Sequence, residues 1–166
     1  KLVPSSPAAA NGWSDWAAGA TSPNAPYATL AWPEYAWGPP ENLGTGVNTI
    51  SGETNLTLTA DELTLLFARN EGSNKASLWI SRRAARDQEF GVATKLPEPV
   101  NGSFSTKTPT ISGDGRLLAF TCDRPDGVGS EDIWLVSLFP TTGTPVGSPV
   151  NLGPAVNTPS VDRGPA

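Results

Sequence analysis

The chain repeats itself, and a fixed period constrains the fold more than any single motif does. Displaced by 53 positions, Trp37-Gly38 falls on Phe90-Gly91, Leu43 on Leu96 and Val47-Asn48 on Val100-Asn101. Thr57-Leu58-Thr59-Ala60-Asp61 then falls on Thr110-Ile111-Ser112-Gly113-Asp114, Leu65 on Leu118 and Phe67 on Phe120. The offset grows to 55 for Leu78-Trp79 against Ile133-Trp134, and to 56 for Val100-Asn101 against Val156-Asn157. Register is kept within the apolar runs and lost only between them. Insertions therefore fall in loops, as stacked repeat units allow.

The second copy shows what one unit contains. Thr108–Ser112 predicts a strand, Gly113-Asp114-Gly115 a tight turn, and Leu117–Cys122 a second strand. The run Asp123-Arg124-Pro125-Asp126-Gly127-Val128-Gly129 interrupts it, because proline lacks an amide donor and glycine weakens pairing. Ile133–Val136 is a third strand and Gly147–Leu152 a fourth, with Val92–Leu96 its counterpart in the first copy. Seventeen glycines and seventeen prolines, with 37% hydrophobic residues, suit short strands and many turns. Only Ser81–Glu89 tolerates a helix, and it reads better as a surface loop. The expected fold class is all-β. Four short antiparallel strands per period of roughly 40–55 residues mark a β-propeller blade.

Those residues also resemble a known family. A run of the type Pro-x-hydrophobic-Ser-x-Asp-Gly, an apolar strand, Asp-Arg, a glycine-rich turn and Asp/Glu-Ile-Trp/Tyr is similar to TolB-type, WD-repeat-like propellers. Here it is Pro109–Gly115, Leu117–Phe120, Asp123-Arg124 and Asp132-Ile133-Trp134. The first copy departs: Glu62 stands for the turn glycine, Arg69-Asn70 for Asp-Arg, and Ser77-Leu78-Trp79 for the last triplet. The resemblance implies two complete blades with partial blades on either side, within a propeller of six to eight blades. It also implies a periplasmic, envelope or extracellular bacterial setting. It specifies an activity poorly, because propellers place function in loops.

The expected organisation follows. Residues 1–36 form a Pro/Ala/aromatic-rich arm, 37–96 an outer strand and blade one, 97–152 blade two, and 153–166 the opening of a third. Trp13, Trp16 and Trp32 in the arm carry large apolar area that must be buried. They staple the arm over the propeller surface, complete a neighbouring blade, or form a binding platform for a sugar or a proline-rich peptide. In the blades, Leu58, Leu65, Phe67 and Trp79 should be buried in the same way as Ile111, Leu118, Phe120 and Trp134.

Several chemistries are excluded or disfavoured. No histidine occurs anywhere, which removes Ser-His-Asp and Cys-His catalysis and the usual histidine metal sites. There is no P-loop and no dinucleotide fingerprint. A net charge of −5, with only Arg82, Arg83 and Arg86 clustered, argues against nucleic acid as a partner. No apolar run is long enough to span a bilayer. Cys122 has no intramolecular disulfide partner. Asp123, Asp126, Glu131 and Asp132 surround one glycine-rich loop and offer oxygen ligands of the kind Ca2+ takes, although not at EF-hand spacing. The sequence thus reads as a non-catalytic propeller module for protein or ligand binding or assembly. Its expected partners are a protein, further blades or further copies of itself. The alternatives are a propeller domain that gates or docks substrate for a larger hydrolase or kinase, and a structural subunit of an envelope or extracellular assembly.

Overall fold

The structure, a computed structural model, describes residues 2–4, 35–37 and 39–166, with side chains from residue 39 onward. It divides into two compact units, Lys1–Glu41 and Asn42–Ala166. In the first unit β1 (Leu2–Pro4) pairs antiparallel with β2 (Tyr35–Trp37). Trp37, expected in an outer strand, is the last residue of β2. Trp13, Trp16 and Trp32 lie outside the described residues.

The second unit contains two four-stranded antiparallel sheets, and no described residue is helical. Sheet one runs β3 (Glu53–Leu58), β4 (Thr64–Gly72), β5 (Lys75–Arg82) and β6 (Thr94–Lys95) in sequence order. Sheet two runs β7 (Thr106–Ile111), β8 (Leu117–Cys122), β9 (Asp132–Leu138) and β10 (Pro145–Asn151) in the same way. Both are meanders whose bounds lie within a few residues of those read from the repeat.

The first turn of each sheet is built by one set of side chains, 53 residues apart. Thr59 donates its hydroxyl to Asp61 Oδ1 at 2.6 Å, and Ser112 to Asp114 Oδ1 at 2.6 Å. The aspartates accept the amides of Leu63 at 2.9 Å and Arg116 at 3.1 Å. The hydroxyls accept the amides of Thr64 and Leu117 at 3.1 and 2.9 Å. Short oxygen-bearing side chains do this because they reach backbone donors two to five residues away. Gly115 holds φ +73°, which costs glycine nothing, whereas Glu62 is forced to φ +62°.

Alternation along the strands decides which side chains meet. Leu66, Ala68, Leu78 and Ile80 share one face of sheet one, and Leu65, Phe67 and Trp79 the other. In sheet two Leu118, Phe120, Trp134 and Val136 share a face. The first and third sets form one core with Ile111 and Leu138, with Leu96 and Val100 from the connecting segment. Sheet two therefore stacks on sheet one. Phe67 and Phe120 are fully buried, each worth roughly 2–3 kcal/mol relative to exposure.

Leu65 and Phe67 pack in a second cluster with Val47, Phe90 and Ala93, against which Leu43 and Trp79 are partly buried. That cover stops short of the edge strand. Leu58 is 39% exposed, while its repeat partner Ile111 is buried against sheet one. The equivalence expected for these two residues therefore does not hold. Among the described residues no helix is long and apolar enough to cross a membrane.

Candidate functional site

The first strands of the two sheets, β3 and β7, carry the same irregularity. Their registers shift between Thr54 and Thr57, and between Lys107 and Thr110, which are again 53 residues apart. Within each bulge a residue other than glycine takes a left-handed backbone: Asn55 at φ +52° and Thr108 at φ +43°. For β-branched Thr108 that conformation is strained. A regular strand sends adjacent side chains to opposite faces; a bulge breaks this rule and re-aims them. Thr54 and Asn55, and Lys107 and Thr108, consequently all line one cleft of about 320 Å3.

The rest of the lining is Ala68, Asn70, Ala76 and Arg163. The small alanines leave room in the floor, and the asparagines and threonines supply neutral hydrogen-bonding groups. Arg163 occupies the repeat position of Lys107 and Thr54, at offsets of 56 and −53. Gly164 after it repeats the positive φ of Thr108 and Asn55, at +71°. Its segment is held beside sheet two by Ser130 N donating to Ser160 O, Asp162 N donating to Glu131 O, and a parallel bridge between Glu131 and Val161. Thr110 Oγ1 adds a bond to Pro165 O. The bulges of β3 and β7 and the segment around Arg163 thus meet at one cleft.

Glu131 ties the two cations together. Lys107 Nζ donates to Oε1 at 3.1 Å, and Arg163 engages both carboxylate oxygens, its Nη2 at 2.8 Å from Oε1. The Arg163 hydrogen bond, with Lys107 behind it, holds the Glu131 carboxyl below its usual range despite partial burial. Glu131 in turn raises Arg163. The trio carries one net positive charge in a chain of net charge −5.

The four carboxylates grouped by sequence do not converge. Asp132 is 1% exposed and accepts from the amides of Val128 and Gly129 and from Asn151 Nδ2. A Cβ at Gly127 would collide with the Asp132 carboxylate and one at Gly129 with the carbonyls of Ser160 and Thr158, which explains the two glycines of this loop. Asp123 accepts the Ser105 amide at 2.6 Å, Asp126 is exposed, and Glu131 belongs to the cleft. Among the described residues no group of three or more His, Cys, Asp or Glu side chains could hold a metal ion. The thiol of Cys122 is buried, and that burial pushes it up against the opposing influence of Arg124. The basic cluster is spent on backbone: Arg82, Arg83 and Arg86 donate to the carbonyls of Thr142, Glu62 and Asp61.

Two clamps escaped the sequence comparison. Arg124 lies 4.6 Å from the Trp134 ring, 5.7 Å from Phe120 and 4.4 Å from Phe104, and its Nη2 donates to Pro99 O and Val100 O. Arg69 lies 4.1 Å from Trp79 and 5.4 Å from Phe67, and donates to Val47 O, the repeat partner of Val100 O. The two arginines do the same work, Arg69 from within β4 and Arg124 from two residues beyond the end of β8. Asn101 and Asn157 form the other clamp. Each accepts the amide of the third strand and returns its Nδ2 to the same residue's carbonyl, at Leu78 and Ile133 respectively. The turns ahead of them repeat as well: Asn48 bonds Gly44 O, Asn101 bonds Pro97 O, and Asn157 bonds Gly153 O.

Compared with known proteins, the chain matches no protein-family model and no curated protein.

Proposed function

We propose that Asn42–Ala166 is a propeller-type repeat module of the TolB-like kind, which binds a protein or a ligand without catalysing a reaction. One observation carries this reading. The turn, the bulge, the arginine clamp and the asparagine clamp recur from sheet one to sheet two, and the left-handed backbone of the bulge recurs a third time at Gly164. Propellers bring the starts of their blades' first strands to a common centre, where they have their channel, and the β3 and β7 starts lie side by side in the cleft. In this reading the two sheets are two blades of a six- to eight-bladed ring.

The face of sheet two turned from sheet one supports continuation of the ring. Ala119, Leu135 and Val150 lie in one cross-strand row there, with Leu117 and Val146 in the next. Leu117 is 44% and Val150 64% exposed, which suits burial under a further blade or another copy. The missing histidine and the dispersed carboxylates favour binding over catalysis. An envelope, periplasmic or extracellular setting enters only through the family resemblance.

Turnover is the test. The purified chain, screened on ester, peptide and glycoside substrates, should release no product above the uncatalysed rate. A rate abolished by Asp123→Asn or Asp132→Asn would refute the reading and make this a carboxylate-dependent hydrolase.

A further inference from the structure

We propose that the cleft between the two bulged strands takes a small hydroxylated monocarboxylate of the hexuronate class, with its carboxylate at Lys107 and Arg163. The inference rests on the binding-module reading and gives it a ligand chemistry. At about 320 Å3 the cleft lies at the small end of ligand sites, the size of a sugar and not of a nucleotide or a peptide segment.

Its two ends differ in chemistry. Lys107 spends one donor on Glu131, leaving two of its three. Arg163 spends Nε and Nη2 on the same carboxylate, leaving Nη1. Spare cationic donors at one end fit a carboxylate. With Glu131 ionised the end carries one net positive charge, which neutralises a monoanion and leaves a dianion such as phosphate with one charge uncompensated beside the Glu131 carboxylate. Thr54, Asn55 and Asn70 provide hydroxyl and amide groups for sugar hydroxyls, Thr108, whose hydroxyl donates to Thr121 Oγ1, offers an acceptor, and Ala68 and Ala76 allow a ring to approach. The bulges are what place these groups together, since neither strand could otherwise offer two neighbouring side chains to one site.

Titration calorimetry on the 166-residue chain with glucuronate, glucose, acetate and inorganic phosphate tests the assignment. Glucuronate should bind saturably, and the other three at least about tenfold more weakly, each lacking one half of the match or carrying excess charge. In the unaltered protein, backbone amide shifts on adding glucuronate should concentrate at Thr54, Asn55, Lys107 and Thr108. Lys107→Gln and Arg163→Gln should each weaken glucuronate about tenfold while staying folded, with the urea midpoint lowered by no more than the loss of one partly exposed ion pair to Glu131. A diuronate binding tighter than the monomer assigns the ligand to an acidic polysaccharide, and equal affinity assigns it to the free sugar acid; both uphold the site. Equal binding of glucose and glucuronate, no binding at about 10 mM, or shifts confined elsewhere would overturn it. That failure would leave the binding-module reading to its own turnover test.

Discussion

Replacing Asn101 by alanine should be among the most damaging single changes in the second unit. The side chain is 3% exposed and makes three hydrogen bonds. Its Oδ1 accepts Leu78 N at 2.9 Å, and its Nδ2 donates to Leu78 O at 2.9 Å and Leu96 O at 2.7 Å. Leu78 is fully buried, so water cannot readily replace the lost partner. Three net bonds at about 1 kcal/mol each, plus the penalty for stranded backbone groups, give a loss of about 3–5 kcal/mol. A domain of this size has only about 5–15 kcal/mol in total. Urea denaturation followed by tryptophan fluorescence measures the loss. Asn48→Ala is the control, because its Nδ2 donates to Asn42 at an exposed site, and it should cost under about 1 kcal/mol.

Asn101→Asp sharpens the same prediction through pH. One oxygen still accepts Leu78 N, but the other faces two carbonyls that expect a donor. Ionisation is then opposed by burial and by those carbonyls, so the folded pKa lies above the unfolded value of about 3.9. A raised folded pKa gives stability that is present below the unfolded value and lost as pH rises through the folded one. The aspartate variant should therefore lie closer to the parent near about pH 4 than near about pH 7, while the alanine deficit stays constant. An alanine cost below about 1 kcal/mol, or an aspartate deficit that ignores pH, would refute the clamp.

Other outcomes follow from particular residues. Glu62→Gly should stabilise by about 1 kcal/mol in urea melts, since it relieves a left-handed backbone at the position where the second copy has Gly115. Gly115→Ala should cost about as much. Arg124→Leu should cost about 2–4 kcal/mol by the same assay, through the loss of its ring contacts and two carbonyl bonds. Acid should weaken the fold. Burial raises Glu53, but the Thr49 hydroxyl and amide and the Arg69 guanidinium more than offset it, and Arg163 lowers Glu131. Both carboxyls sit below their ordinary 4.5, so their contribution is present above that value and lost as pH falls through the folded values. Thermal melts against pH should show this decline, reduced in Glu131→Gln.

The strands were legible because alternation and turn chemistry are local. Leu118 and Phe120 alternate to one face, and Ser112 with Asp114 closes a turn using atoms a few residues apart. The arginine clamp was not legible, because a long side chain reaches one place from two backbone positions and alignment compares positions only. Arg69 therefore looked like a departure while doing the work of Arg124. Likewise Asp132 looked like a free oxygen ligand, because nothing in its spacing shows that the Val128 and Gly129 amides claim it. The cleft was hidden for a third reason: a bulge is a defect in alternation and leaves no mark where Asn55 and Thr108 replace the usual glycine. Its signal lay in the offsets, which align Thr54, Lys107 and Arg163.

The stacking of one repeat on the next is the claim on which the binding reading depends, and methyl–aromatic nuclear Overhauser effects test it most directly. Leu66, Leu78 and Ile80 of sheet one share a core with Phe120 and Trp134 of sheet two. In protein labelled at leucine and isoleucine methyls, those methyls should show cross-peaks to the Phe120 ring and the Trp134 indole. Methyls of sheet one that see only aromatic protons of their own sheet would contradict the stacked repeat.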